Sequence, residues 1–441
     1  MATLKVHSSS ETFSFVIRKN PASGMIAKSI RKGTAFGWFR DPNTYCVAFF
    51  DGMDEISFAK KRNQEFAFLD QTRYNAPLFL STALREFFQT ALRKHNKEQD
   101  LQGSFHSLEV SSIEIERMEI FEKLVPCFDG FRIEALPIPH EHGTEEQEKR
   151  YSNYSLKVST ETRTLHELLN LGYLLGYLIA TCSHVDFQVE QNILLRLIEA
   201  CNLLDAPYFV KHLIKTGCVH TMEDFRKVEA ALNVSKTERL RFSPSTNANE
   251  RFLWVRSQLP RDIDILDFGC GEGRFFPLSK RIPSSTYYAV ERNEGVRDEA
   301  RKSAERRELE NIIVLDSLEA FLQLETGREF VAVLSEVFEH NDPAYMKEVL
   351  QGLFQNPYCS KILLTTPNRD FNPFYYLQEG EKRHKDHVIE MSKAEAETYF
   401  SDVVQGTNFS CKTSGLGDEV NDIPAILAFT FTNSKKEREA E

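Results

Sequence analysis

The stretch "ILDFGCGEGRFF" (residues 265–276) places Gly269, Gly271 and Gly273 directly behind the strand-like run "DIDILDFG", which ends at Asp267 and Phe268. A short apolar run closed by glycines reads as a buried strand, and the residues after it as the start of a helix. The spacing is G-x-G-x-G, which differs from the G-x-G-x-x-G of dinucleotide folds. Glycine here lets the backbone approach a ligand and take positive φ. The acid Asp267 at the strand end is badly placed for a pyrophosphate and suits a ligand with a positive amino group. Glu291 ends the next strand-like run, where a carboxylate can accept hydrogen bonds from ribose hydroxyls.

Outward from this loop the pattern repeats. "STYYAVE", "NIIVLDS", "EFVAVLS" and "KILLTTPN" read as further strands, with helical stretches between most of them. Strands alternating with helices predict an α/β fold with a parallel, doubly wound sheet. The glycine loop and its following acid resemble the S-adenosylmethionine loop of class I (Rossmann-like) methyltransferases. That resemblance implies cofactor binding by Asp267, Gly269, Gly271, Gly273, Glu291, Asp316, Ser317 and Ser335. Asp316 would meet the adenine amino group, and Leu318 would pack on the base.

The fourth strand runs into "EVFEH", residues 336–340. In open α/β sheets ligands bind at the carboxyl ends of strands, so this segment begins where the reacting methyl should sit. If it opens a helix, Glu336, Glu339 and His340 stand at i, i+3 and i+4 and share one face. Two carboxylates and an imidazole on one face repel unless a cation joins them. Taken alone, the segment reads more readily as a helix start enriched in acids for the macrodipole. It is not an H-E-x-x-H zinc motif. A fourth ligand is sought in "EKRHKDHVIEM" (381–391), where His384 and His387 both qualify. Mixed oxygen and nitrogen ligands suit Mn²⁺, Mg²⁺ or Co²⁺, and two imidazoles favour Mn²⁺ over Mg²⁺.

The chain has 441 residues, which predicts more than one domain. Hydrophobic content of 41% with 27% charged residues is ordinary for a globular protein. The net charge of −11 argues against a broad nonspecific grip on nucleic acid, but not against binding a short single-stranded end. Eight scattered cysteines without a C-x-x-C pair fit a reducing, cytoplasmic setting. The N-terminus has no apolar h-region, so no signal peptide is expected. The most apolar tract, "LLNLGYLLGYLIATC" (168–182), is too short to span a bilayer and reads as a buried helix.

Residues 1–150 read as an α+β domain, with "TFSFVIRK", "YCVAFFDGM" and "GFRIEALPI" as strands and "PLFLSTALREFFQTALRKHN" as a helix. The polar stretch 139–153, with His140 and His142, reads as a linker. Residues 151–240 read as a helical subdomain, opened by a capping box of Thr164 and Glu167. Its third helix is expected to end at Gly217. Residues 241–441 form the methyltransferase-like region, ending in the charged tail "NSKKEREAE". "RKSAERRELE" (301–310) reads as a solvated helix face.

Together "DFGCGEGRF", "EVFEH", "TTPNRDFN" and "RHKDHVIE" resemble the HEN family of small-RNA 3′-terminal ribose 2′-O-methyltransferases. The resemblance covers roughly residues 240–400, and "NERFLWVRSQL" (249–259) is similar to the helix before that family's first motif. Met391 stands where the family has tryptophan, Val388–Ile389 where it has x–Phe, Glu291 where Asp is common, and Asp316 where Gly is frequent. The resemblance implies that Glu336, Glu339, His340 and His387 hold one divalent ion, selecting His387 over His384. It further implies methyl transfer from S-adenosylmethionine to the 2′-hydroxyl of an RNA 3′ end. His340 or His384 would take the proton. Asn368 and Asn372 would position the ribose, and Phe371, Phe374 and Tyr375 would stack on terminal bases. The N-terminal part is similar to the region of bacterial members that supports a polynucleotide kinase–phosphatase–ligase partner in RNA repair. Two other readings stand beside this one. One is a metal-dependent O-methyltransferase of a small catechol-like diol, and the other a ligase-binding scaffold with a vestigial methyltransferase half.

Overall fold

Five apolar runs dictate the C-terminal architecture. Asp264–Phe268, Tyr287–Val290, Ile312–Leu315, Phe330–Ser335 and Cys359–Pro367 are the five strands expected there. In the computed structural model they lie parallel, in the order 312–315, 287–290, 264–268, 330–335, 359–367. Leu266 pairs with Tyr288 on one side and Ala332 on the other. Strands buried on both faces read as unbroken apolar stretches, and Asp264–Phe268 and Tyr287–Val290 are buried at every residue. Helices Glu294–Arg306 and Pro343–Gln355 are among the crossovers between successive strands. The structure describes residues 3–30, 33–51, 58–59, 68–69, 77–138, 153–182, 189–324 and 326–435.

The sheet does not end at the fifth strand. Ile423–Asn433 pairs antiparallel with Cys359–Pro367, Phe409–Val420 pairs antiparallel with Ile423–Asn433, and Leu240–Arg241 adds an edge. The turn at Asn421 and Asp422 has both residues at positive φ, as a two-residue hairpin requires. Core clusters lie on both faces of the sheet, one around Phe338, Phe400 and Phe429, the other around Phe276, Tyr287 and Val331.

The chain divides into units Met1–Thr237 and Glu238–Glu441. The first carries a seven-stranded antiparallel sheet ordered 26–30, 33–41, 44–51, 3–8, 106–114, 153–160, 132–137. Helices Pro77–Arg93 and Leu165–Thr181 pack together in this unit. The capping box forms, with Thr164 Oγ1 accepting from Glu167 N and Glu167 Oε2 from Thr164 N. Leu165–Thr181 is almost wholly buried, as its composition predicts. Among the described residues no helix is long and apolar enough to cross a membrane. All eight cysteines are free.

Three local expectations are corrected. "TFSFVIRK" holds a short helix, Phe13–Val16, and no strand. Phe13 and Val16 are buried while Phe15 is exposed, so the burial follows i, i+3 and not alternation. Gly217 does not end its helix, which runs Tyr208–Cys218. The glycine is there for close packing, since a Cβ would fall 2.3 Å from Thr181 Cγ2. A fourth helix, Met222–Leu232, went unread. The linker with His140 and His142, and most of the charged tail, lie outside the described residues.

Candidate active site

The carboxyl ends of four parallel strands converge on one cleft of about 260 Å³. Gly269, Glu291, Asp316, Ser317 and Leu318 line one part of it, and Glu336, Val337, His340 and Asn341 another. Sequence reasoning missed Arg292 and Tyr345, which complete the wall. Neither belongs to a motif, so no local signal marks them.

The glycine loop takes positive φ at Gly269, Gly271 and Gly273, at 76°, 54° and 83°. A Cβ on Gly269 would lie 2.6 Å from Val337 Cγ2, so the loop is seated directly on the "EVFEH" turn. Beside Gly271 there is open space. Glu291 is held by backbone donors, its Oε2 accepting from Gly271 N at 3.2 Å and its Oε1 from Asn293 N at 2.9 Å. Ser317 caps helix Leu318–Leu322 and donates to Asp316 Oδ1 at 3.0 Å. Ser335 is 2.9 Å from Thr365 Oγ1 and does not line the cleft.

Asp267 sits beneath the loop and not in the cleft. It is buried, and Tyr287 OH donates to its Oδ2 at 2.7 Å. Burial pushes its carboxyl up to about 7, with Glu291 adding to the rise and the tyrosine bond opposing it. The folded value exceeds the usual unfolded one of about 3.9. Stability from this group is therefore full below about pH 4 and is lost as pH rises toward about 7. At about 1.4 kcal/mol per unit the loss is on the order of 4 kcal/mol. Asp267→Asn is expected to flatten the fall in urea midpoint between about pH 5 and pH 7, and an unchanged slope would contradict this assignment.

The "EVFEH" segment is not an α-helical turn. Glu336 takes a left-handed φ of 57°, and a 3₁₀ turn covers only Phe338–His340. The i, i+3, i+4 face therefore does not form. Glu339, His340 and His387 do come together, with ligand atoms all within 4.8 Å of one another. Glu336 stands outside that group, its Oε2 paired with Arg251 at 3.0 Å. Arg251 lies on helix Asn247–Gln258, whose place was expected but whose role was not.

Backbone bonds hold the two distant segments together. Val388 N and Ile389 N both donate to Glu339 O, at 2.6 and 3.2 Å. His340 Nδ1 lies 3.2 Å from Asp386 O, which can only accept, so the proton is on Nδ1 and Nε2 is left bare. His387 Nδ1 lies 2.5 Å from Glu390 Oε1, which likewise leaves Nε2 as the free nitrogen. Burial lowers the His387 pKa, and the Glu390 carboxylate opposes this only in part. Burial raises the Glu390 carboxyl, but bonds from Asn372, His387 and Arg383 N outweigh it and leave it below its ordinary range. A carboxylate that orients a neutral histidine is the usual support of a metal ligand.

The donor set fits a cation. Glu339 is fully buried; its Oε2 accepts from Thr366 Oγ1 at 3.1 Å, but its Oε1 has no partner. Glu336 Oε1 is also buried without a partner. Burial, then the neighbouring Glu336, lifts the Glu339 carboxyl well above its ordinary value. Burial also raises Glu336, with Arg251 opposing. Unsatisfied buried carboxylate oxygens are costly without a positive ion.

His384 stands apart from the cluster. Its side chain is 57% exposed, and Nδ1 is 3.4 Å from Asp386 Oδ2. The amides of Asn368 and Asn372 are already committed, to Pro424 O and Asp370 N and to Glu390 and Arg383 respectively. These bonds tie both side chains to the loop. Phe371 is fully buried and packs on Phe374 and Tyr375, so it is core and not a stacking surface. Glu390 and Thr366 both lie inside quoted motifs, but only their depth in the fold reveals their roles.

Family models match both units. The Hen1 N-terminal domain model covers residues 3–238, and a methyltransferase domain model covers residues 265–356. A solved chain from "the Pnkp1/Rnl/Hen1 RNA repair complex" is 20% identical, with a TM-score of 0.77 over 98% of this chain and 100% of that one. A second, from a "Pnkp1/Rnl/Hen1 complex", gives 0.76 at the same identity and coverage. At that identity the likeness is one of fold. The methyltransferase domain of "bacterial-CtHen1-C" is 23% identical over 42% of this chain and 98% of that one, with a TM-score of 0.37. No curated protein matches the chain. Because the N-terminal model spans more than half of the sequence and a methyltransferase domain follows it, the chain belongs to the Hen1 family.

Proposed function

We propose that the chain transfers a methyl group from S-adenosylmethionine to the 2′-hydroxyl of the 3′-terminal ribose of RNA, as a step in RNA repair. The observation that carries this reading is the double position of His340. It lines the glycine-loop cleft and also belongs to the buried cluster with Glu339 and His387. A methyl-donor site and a site for two vicinal hydroxyls would thus share a wall. The solved relatives come from assemblies named for Pnkp1 and Rnl, which supports a role for residues 1–150 in binding a kinase–phosphatase–ligase partner.

The roles follow from the geometry. Glu291, pre-oriented by Gly271 N and Asn293 N, accepts from the cofactor ribose. Asp316, Ser317 and Leu318 receive the adenine. A divalent ion, Mn²⁺ or Mg²⁺, held by Glu339, His340 and His387 with Glu336 alongside, would supply Lewis acidity to the 2′-hydroxyl of a vicinal diol. Glu390 fixes the tautomer of His387, and Thr366 orients Glu339. With His340 Nε2 turned to the cluster, His384 is the imidazole left to accept the 2′ proton; its ring centre is 5.9 Å from that of His387.

Labelled methyl should pass to a short RNA with a free 3′ end, in Mn²⁺ and not in chelator. RNAs ending in 2′-deoxyribose or a 3′-phosphate should take up none. Methylation of a catechol in preference to RNA would overturn the substrate assignment.

A further inference from the structure

A second polar groove lies in the N-terminal unit, among helices Pro77–Arg93, Leu165–Thr181 and Gln191–Leu203. It encloses about 630 Å³. Arg85, Arg93 and Arg196 line it, and Glu199 is the only acid among its described lining residues. In a chain of net charge −11 such a concentration of guanidinium calls for an anionic occupant.

The three arginines differ in how they are held. Arg196 is fixed from below, donating to Asn170 Oδ1 at 2.7 Å and to Leu92 O, and pairing with Glu199 at 3.1 Å. Arg85 pairs with its neighbour Glu86, at 3.2 Å. Arg93 has no ion pair or side-chain hydrogen bond among the described residues. The helix Gln191–Leu203 adds a second source of positive potential. Its first-turn residues Asn192 and Ile193 line the groove, and its N-cap Glu190 makes no capping bond. A helix N-terminus left uncapped beside arginines is an anion-binding arrangement.

The shape of the occupant follows from spacing. Arg85 and Arg93 are eight residues apart in Pro77–Arg93, on either side of a kink at Phe88, so they are held on separate helical segments. That separation suits a chain of repeating charges better than one phosphate. Tyr173, the aromatic residue of the lining, is buried and offers no face for a base. Without an exposed ring to stack on among its described lining residues, the groove favours a backbone over a base. We propose that it binds the phosphodiester backbone of single-stranded RNA through Arg85, Arg93 and Arg196, independently of base identity. The proposal rests on the RNA reading above.

Fluorescence anisotropy of a labelled single-stranded RNA on the full chain tests it. Arg85→Glu with Arg93→Glu is expected to weaken binding at least about tenfold. It should lower the slope of log affinity against log salt by about 1.4, the single-strand value for two lost phosphate contacts. If the doubly charged-reversed chain unfolds early, Arg85→Gln with Arg93→Gln gives the same slope change. Wild-type affinity and slope in the double variant would overturn the groove assignment, while methyl transfer to RNA by the wild type would leave the proposed reaction standing. Displacement of the RNA by polyglutamate at equal charge concentration would also overturn it, because the occupant would then be an acidic peptide. Arginine-dependent RNA binding by a chain that methylates no RNA would support the groove and sink the reaction.

Discussion

His387→Ala is expected to lower methyl transfer to RNA by at least about a hundredfold while leaving S-adenosylmethionine binding nearly unchanged. Loss of an outer-shell partner alone costs about 10–100-fold at metal sites, and loss of a ligand should cost more. The side chain is almost fully enclosed and its Nδ1 is committed to Glu390. His384 does not replace its Nε2, since it faces solvent and Asp386. The cofactor wall of Gly269, Glu291, Asp316, Ser317 and Leu318 contains no part of His387. Calorimetry of cofactor binding should therefore be blind to the substitution that the methyl assay detects. His384→Ala separates the two imidazoles. As proton acceptor it should lower kcat, yet keep Mn²⁺ affinity. A His387→Ala chain still active in chelator would refute the metal assignment.

The parts legible in the sequence are those governed by burial. Asp264–Phe268 and Tyr287–Val290 are covered on both faces, so their runs are apolar without interruption and could be read directly. The hairpin Phe409–Val420 and Ile423–Asn433 was harder. Its first strand alternates in exposure and reads "CKTSGLGDEV", which is rich in turn formers. The Asn421–Asp422 pair between them was the available signal.

At the site, residue identity was readable but local geometry was not. The spacing of Glu336, Glu339 and His340 invited a helix, yet Glu336 is left-handed and reaches Arg251 instead. That conformation is imposed by the seat of Val337 under Gly269 and by the Arg251 pair, both long-range contacts that no local pattern encodes. The same holds for Asn368, Asn372 and Phe371, which look like substrate contacts in a motif and are committed to structure in the fold.

Manganese is expected to raise the unfolding temperature of the methyltransferase unit, and more at about pH 8 than at about pH 6. The sign follows from the buried acids. Burial and Glu336 hold the Glu339 carboxyl well above its ordinary value, so the metal-free folded state binds its proton more tightly than the unfolded chain does. Stability from this group is full below the unfolded value near 4.3 and is lost as pH rises through the folded one. A divalent ion requires the carboxylate, so its binding expels that proton and strengthens as pH rises. His387, lowered by burial, holds its proton less tightly than a free imidazole and so adds less to the competition with the ion. At an ion concentration about a hundred times Kd the gain is about 2.7 kcal/mol. For a unit of roughly 200 residues that amounts to about 5–10 °C. Glu339→Gln should abolish both the shift and its pH dependence, since the amide has no proton to release and no negative charge to offer. Scanning calorimetry of the full chain, with and without chelator, reads each protein at both pH values. An equal shift in Glu339→Gln, or a larger one at the lower pH, would place the ion elsewhere.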